Sequence, residues 1–452
     1  MFFKKIETKG IAHYSYMVGD NGHIAVIDPV RDVGIYMKEA RKAGMKIKYI
    51  FETHRNEDFI SGSMELVEKT GATIYISDHE DLGYLYGTKI KDGFELELGN
   101  LRLKAIHTPG HTLGHLSYAL SEEGNKTPYM VFTGDCLFMG DVGRSDFYGK
   151  ENLEETTGLL YDSIFKKLLP LGKEVLMFPA HGPGSACGES MDKRPFTTLG
   201  YEEKYSEVLQ VDSKNEFIKN FARMRIKPRY FEKMEKLNIK GAPFVGSDII
   251  LNGLTFEEFK EIKEDVLLID IRTKEAYIGG HIPGSIYLSK KTISTFLGAI
   301  FDIHKKIVFL TNENINNLEE IYWYCKRIGF DNLLGYFPDA AKQWENNGEE
   351  LEKVSTMYIE EYLNSSRNND YMLLDVRKKE ETEHDSLSKN RINIPLQNMY
   401  KSLENIKFNI PIYILCNSGE LSTVAYSYLK SKGYNPIVLS GGVEMLEALD
   451  KK

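Results

Sequence analysis

The second half of this chain is written twice. The stretch VLLIDIRTKEAYIGGHIPGSIYL begins near residue 266, and YMLLDVRKKEETEHDSLSKNRINIPL begins near 371. Asp270 and Asp375 stand 105 residues apart, and the same offset relates Thr311, which ends IVFLT, to Cys416, which ends IYILC. Each copy continues through a helix-like segment into GFDNLLGY or GYNPIVLSGG. A repeat of this length specifies two copies of one small α/β domain of strand–loop–helix type.

Ahead of the repeat, β-rich runs such as HIAVIDP (23–29), ATIYIS (72–77), FELELGNLRLKAIHTPG (94–110) and PYMVFTGD (128–135) alternate with helical stretches. VGIYMKEARKAG (33–44) and GSMELVEKTG (62–71) are two of these, each closed by Gly. Three domains are expected: 1–262, within which 201–262 is a charged, mostly helical connector packed on the first domain, then 263–353 and 354–452.

Composition excludes several classes of function. A net charge of −9 without a long basic cluster argues against nucleic acid and anionic membrane surfaces as partners. No apolar run reaches membrane-spanning length, and MFFKKIETKG does not resemble a secretory signal, so a cytoplasmic location is expected. The 4 cysteines, Cys136, Cys187, Cys325 and Cys416, form no C-x-x-C pair and are expected to be free thiols. Cys136 and Cys325 read as packing residues.

Four polar groups follow apolar runs in the first domain. His54 follows KYIFET, His111 lies in TPGHT, Asp135 in TGD and His181 in PAHGPGSACG. Groups placed just beyond strands converge on one sheet edge, where a metal site is built. The loop FETHRNEDFI also carries Asn56 and Asp58, at alternate positions after His54.

ETHRNEDFISG, TPGHTLGHLSY, TGDCLFMGDVGRSDF and PAHGPGSACG together resemble the metallo-β-lactamase superfamily, and within it the persulfide dioxygenases. The resemblance implies an αββα sandwich followed by two rhodanese-like α/β domains. It implies one Fe(II) per chain on His54, His111 and Asp135, a facial triad with open positions, with zinc an alternative occupant in recombinant protein. The superfamily's two-zinc hydrolases need H-x-H-x-D-H, where this chain has Asn56 and Phe59. Persulfide dioxygenases often keep a His at the place of Asn56, so Asn56 is expected to alter hydrogen bonding around the iron or its affinity. Asp58 and His181 are expected to support the ligands rather than bind the ion. Arg144 and Asp146 read either as a loop-stabilising ion pair or, for Arg144, as a group orienting an anionic substrate. Cys187, in the family's GS-x-CG position, reads either as an inert buried thiol or as one that relays sulfur near the iron.

CNSGELS in the last repeat resembles the rhodanese loop C-x-x-G-x-R-S. Cys416, Gly419 and Ser422 match, with Asn417, Ser418 and Glu420 between them; Leu421 replaces the usual Arg. Loop N–H groups and a helix N-terminus stabilise a thiolate or persulfide on such a Cys. Without the Arg, weak binding of thiosulfate is expected. The first repeat, with Thr311 in place of the Cys, resembles an inactive rhodanese domain kept for structure or docking.

The resemblance therefore implies oxidation of a small-thiol persulfide by O2 to sulfite and free thiol, with rhodanese sulfur transfer and thiosulfate formation, in sulfide detoxification. A homo-oligomer, dimer or tetramer, is the expected state. The alternatives are a zinc thioester hydrolase like glyoxalase II, and a non-catalytic sulfur-relay protein.

Overall fold

The computed structural model describes residues 1–450 except 126, 189, 247–248, 250, 313–317, 366–370 and 383–390. The chain divides into two compact units, Met1–Asp248 with Lys326–Gly329, and Ile249–Cys325 with Phe330–Lys452.

The first unit holds two six-stranded sheets. One runs Phe2–Thr8, His13–Asp20, His23–Ile27, Lys46–Phe51, Thr73–Ser77 and Thr88–Ile90 in chain order. Its first three strands are antiparallel and the rest pair in parallel. The other runs Thr197–Thr198, Leu176–Pro179, Met130–Gly134, Leu116–Glu122, Leu101–His107 and Glu95–Leu98. The run expected over 94–110 thus folds as a hairpin, Glu95–Leu98 against Leu101–His107, broken at Gly99 and Asn100.

Alternation along the strands turns Tyr16, Val18, Ala25 and Ile27 of one sheet toward Leu103, Ala105, Tyr118 and Phe132 of the other, and these fill a dry core. Each large apolar side chain buried there contributes roughly 1.5–3 kcal/mol. The helices Gly34–Lys42 and Ser63–Thr70 contact the strand Lys46–Phe51. Leu160 of the helix Leu153–Ser163 and Phe217 of the helix Lys214–Phe221 bury against Val131 and Met177 of the second sheet. The architecture is an αββα sandwich.

The segment expected as one connector, 201–262, is divided between the units. Phe217 belongs to the first unit's core, whereas the helix Phe256–Ile262 buries Phe259 against Leu268, Val308 and Phe337 of the second. Phe259 stacks on Phe337 with ring centroids 4.2 Å apart. The apolar face of the helix, rather than its charge, decides where it packs.

The second unit shows the repeat in its backbone. Leu267–Asp270 and Ile307–Leu310 are parallel neighbours, as are Met372–Asp375 and Ile412–Leu415, with Asp270 opposite Leu310 and Asp375 opposite Leu415. Both sheets are parallel, of four and five strands. In each repeat the sequence D-x-R makes one buried pair: Nη2 of Arg272 lies 2.7 Å from Oδ2 of Asp270, and Nη2 of Arg377 lies 2.7 Å from Oδ2 of Asp375. The loop that starts at Thr311 lies partly outside the described residues. Among the described residues, no helix is long and apolar enough to cross a membrane.

Removing Arg272 leaves the buried Asp270 carboxylate uncompensated, at a cost of about 3–5 kcal/mol, whereas removing Arg377 leaves Asp375 to Arg391 Nη1 at 3.3 Å, at a smaller cost. Arg377→Ala should therefore strip hydrogen-exchange protection from Met372–Asp375 while Leu267–Asp270 loses less, and Arg272→Ala should do the reverse. Unchanged protection in both variants would contradict the role given to the pairs.

Candidate metal centre and sulfur-carrying loop

The four sequence-predicted groups meet at one end of the sandwich. His54 follows the strand Lys46–Phe51 of one sheet, while His111, Asp135 and His181 follow Leu101–His107, Met130–Gly134 and Leu176–Pro179 of the other. All four are buried. His54, His111 and Asp135 form one cluster of potential ligand atoms, together with Glu57, which the sequence reading did not single out. His54 Nε2 lies 4.0 Å from Asp135 Oδ2 and 3.8 Å from Glu57 Oε2. His111 Nε2 lies 3.5 Å from Asp135 Oδ2 and 3.1 Å from Glu57 Oε1. Ligands held about 2.1 Å from a shared ion stand roughly 3.0–3.4 Å from each other; one of these distances falls in that range and the other three are up to 0.6 Å wider, so the cluster is somewhat more open than a filled site. His54 Nε2, His111 Nε2, Glu57 Oε2 and Asp135 Oδ2 are buried without a hydrogen-bond partner. Such atoms fit a metal ion.

The shell fixes which nitrogen each imidazole presents. Thr53 donates its hydroxyl proton to Asp28 Oδ2 at 2.8 Å, so the Thr53 hydroxyl oxygen accepts from His54 Nδ1 at 2.8 Å. Asp28 also accepts from the Thr53 amide at 2.7 Å, and burial raises its carboxyl to about 7. His111 Nδ1 donates to the carbonyl of Arg144 at 2.8 Å. Both rings thereby turn a lone pair at Nε2 into the cluster. Burial lowers His54 well below the ordinary imidazole range. Burial also opposes protonation of His111, but Glu57, Asp135 and the Arg144 carbonyl raise it above that range.

His115, the second His of TPGHTLGH, anchors Asp135. Its Nε2 accepts the Asp135 amide at 3.0 Å, and its Nδ1 is 2.8 Å from the hydroxyl of Thr108. Burial, with His111 nearby, pushes His115 down to about 3, so it stays neutral and able to accept. Gly134 makes the approach possible. Its φ is +53°, and an added Cβ would lie 2.4 Å from His115 Nε2. Gly143 is equally constrained, since a Cβ there would fall 1.8 Å from the Asp135 carbonyl.

His181 is engaged on both sides. Its Nδ1 is 2.7 Å from Asp135 Oδ1 and its Nε2 2.9 Å from Asp58 Oδ2. Burial disfavours its charge, yet the two carboxylates hold it well above the usual imidazole value. It therefore links Asp58 to Asp135. Asp58, His181 and Cys187 form a second group of potential ligand atoms. The Cys187 thiol lies 3.7 Å from Glu57 Oε1, and burial raises it well above the ordinary thiol range. Arg144 reaches the centre through its carbonyl; its guanidinium makes two bonds to Asp146, at 2.6 and 2.8 Å, and others to the carbonyls of Arg225 and Ile226. Asn56 is buried but turned to the main chain, with Nδ2 3.5 Å from the His54 carbonyl. Phe59 packs on His13, ring centroids 4.2 Å apart, and Asn238 holds the carbonyls of Asn56 and Phe59.

In the second unit, Cys416 ends the strand Ile412–Leu415 and is 2% exposed. Its Sγ accepts from the amides of Gly419 at 3.1 Å and Ser422 at 3.4 Å, at the start of the helix Glu420–Ser431. Cys136 and Cys325 are buried free thiols, as expected.

Residues 8–181 match the metallo-beta-lactamase superfamily, and residues 255–347 and 359–448 match the rhodanese-like domain. The chain is a metallo-β-lactamase-superfamily domain joined to two rhodanese-like domains. It is similar, at 29% identity over 203 residues, to the mitochondrial persulfide dioxygenase ETHE1 of Bos taurus, covering 42% of this chain and 73% of that one. It is also similar, at 27% identity over 197 residues, to the hydroxyacylglutathione hydrolase GloC of Haemophilus influenzae, covering 39% of this chain and 88% of that one. Among solved structures, a metallo-beta-lactamase from Staphylococcus aureus subsp. aureus COL matches with a TM-score of 0.66 at 29% identity, over 75% of this chain and 98% of that one.

Supporting groups of this kind typically change metal affinity 10- to 100-fold. Thr53→Val should weaken metal retention by about that factor in a chelator competition while leaving the fold intact by circular dichroism. Retention equal to the native protein would remove the Asp28–Thr53 chain from the account. Gly134→Ala should lose the metal more completely, because the added methyl displaces His115 from the Asp135 amide.

Proposed function

We propose that this protein oxidises small-thiol persulfides with O2 at a mononuclear ferrous site, and that its last domain carries sulfane sulfur on Cys416. The observation that carries the reading is the set His54, His111 and Asp135, two imidazoles and one carboxylate with unpartnered atoms within one cluster, which the Glu57 carboxylate also joins. Such a set is that of a facial triad. Asn56 and Phe59 stand where the superfamily's dinuclear hydrolases have ligands, which disfavours a thioester hydrolase despite the likeness to GloC.

A ferrous ion held by this set supplies the redox chemistry toward O2. The chain's residues bind, orient and exclude water. A narrow cleft lined by Glu52, His54, Arg55, Glu80, Tyr84 and Gly114 opens beside the cluster, and Arg55 in it is paired with Glu235 at 3.6 Å. His54 and His111 are held at Nδ1 by Thr53 and by the Arg144 carbonyl, so their rings keep one orientation through turnover. Asp135 is fixed by His115 and His181. Arg144 is a positioning residue, through its carbonyl and through Asp146. The overall change is R–S–S⁻ + O2 + H2O → R–SH + SO3²⁻ + H⁺. In the last domain, a persulfide on Cys416 attacked by sulfite at its outer sulfur gives thiosulfate and the Cys416 thiolate, so atoms and charge balance.

Protein purified without oxygen should hold about one Fe per chain, the content of a facial triad. His111→Ala and Asp135→Ala should lose both the iron and persulfide-dependent O2 uptake, Asn56→Ala should keep most of the iron, and Cys416→Ser should lose sulfur transfer to cyanide but keep O2 uptake. Metal analysis and an oxygen electrode with a panel of small-thiol persulfides decide the matter. Two Zn per chain with hydrolysis of a hydroxyacylglutathione, or no metal at all, would overturn the reading.

A further inference from the structure

The repeat with Thr311 in place of the loop cysteine contacts the Cys416 loop of the other. Both belong to the same compact unit. Lys274, at the start of the helix Lys274–Gly279, donates from Nζ to the carbonyl of Ser418 at 2.9 Å, inside the Cys416 loop. The same Nζ stands 3.7 Å from the place a Cβ on Gly419 would occupy. Tyr287 and Ser289, after the strand Leu267–Asp270, donate hydroxyls to Glu420 Oε1 at 2.9 and 2.6 Å. The Tyr287 amide also bonds the hydroxyl of Ser427, on the helix that follows the loop. Three side chains of one repeat thus wall the loop of the other.

Charge gives this wall a function. The loop's helix offers the amides of Gly419 and Ser422 to sulfur, and Leu421 adds no cation. The carboxylates nearby are accounted for: Glu420 is bound by the two hydroxyls, Glu381 by the Asn417 amide at 3.2 Å, and Glu275, 3.6 Å from Lys274 Nζ, is largely exposed. The Lys274 ammonium is partly exposed at the loop's rim. Its three protons allow it to keep the Ser418 carbonyl and bind an incoming anion together.

We propose that Lys274 completes the Cys416 site: it binds the –SO3 end of sulfite or thiosulfate against the Cys416 sulfur, and so determines specificity for sulfur oxyanions. The inference rests on the reading of Cys416 as a sulfur carrier. Sulfite is the acceptor case, with its sulfur attacking the outer sulfur of the Cys416 persulfide and the Cys416 thiolate leaving. Thiosulfate is the same step reversed. The weak use of thiosulfate expected from Leu421 alone is thereby replaced by use that depends on the neighbouring repeat.

Protection of Cys416 from iodoacetamide by sulfite tests this in the full chain, with the modified peptide identified by mass spectrometry. Each protein's protection is read against its own rate without sulfite, so a change in Cys416 reactivity on losing the Lys274 charge is separated from a change in sulfite binding, and an unchanged circular dichroism spectrum excludes damage to the fold. The sulfite concentration giving half protection should rise roughly tenfold in Lys274→Gln, the scale of one charge-assisted hydrogen bond, and stay near native in Lys274→Arg. In thiosulfate:cyanide transfer, the KM for thiosulfate should rise by a similar factor with kcat held. Equal half-protection in native and Lys274→Gln, or no protection of the native protein, overturns the proposal. Protection that depends on Lys274, in a protein that transfers no sulfur from any donor, keeps the oxyanion site and instead refutes the sulfurtransferase reading.

Discussion

The first unit is organised around a carboxylate held without water. Asp135 is fully buried, and its charge is offset by His181 and His111 rather than by solvent. A buried charge of this kind persists only when every oxygen and the adjoining main chain find partners. Here the amide is taken by His115 and one oxygen by His181, while the other oxygen faces His54 and His111. Those demands reach into the backbone, because Gly134 and Gly143 leave room where a methyl group would strike His115 or the Asp135 carbonyl. Strands of two sheets end at this point, so the sandwich delivers the donors and the pocket's negative charge calls for a cation.

Much of this is legible in the sequence alone. A His or Asp just past an apolar run is easily seen, and His54, His111, Asp135 and His181 do lie together. The repeat was legible for a simpler reason: the 105-residue offset that aligns Asp270 with Asp375 reappears as the same strand register. What stayed hidden depends on side-chain direction in irregular backbone. Glu57 lies three residues after His54 in a loop with no periodicity, and nothing in RNEDF says which carboxylate turns inward. Asp28 and Thr53 carried a weak signal, a strand-end Asp before Pro and a Thr beside His54, but their bond spans two strands. The 201–262 stretch misled because charge and helicity describe its helices alike, whereas the packing of Phe217 and Phe259 separates them.

Glu57 changes how the departures in the same loop are understood. Asn56 turns to the main chain, and Phe59 fills apolar space beside His13, so two positions that serve a dinuclear centre in related folds serve packing here. The carboxylate between them takes the opposite course and faces His111. Asn238 bonds the carbonyls on both sides of Glu57 and Asp58, which fixes the loop that aims them. The donors near His54 are therefore two imidazoles and two carboxylates, a set without thiolate that suits a divalent ion taking nitrogen and oxygen ligands.

The tandem repeats separate two tasks that conflict within a single loop. A helix N-terminus stabilises an anion on Cys416, and an acidic residue in the first turn complements the helix dipole. Glu420 occupies that turn, but a free carboxylate beside a persulfide would repel it. The hydroxyls of Tyr287 and Ser289 resolve the conflict by binding Glu420 from the other repeat. Lys274 reaches the Ser418 carbonyl from the other repeat, so a cation stands beside the loop although Leu421 supplies none. The repeat with Thr311 in place of a cysteine, having no sulfur of its own to hold, is free to present those side chains, and its intact Asp270–Arg272 pair keeps the surface that carries them folded.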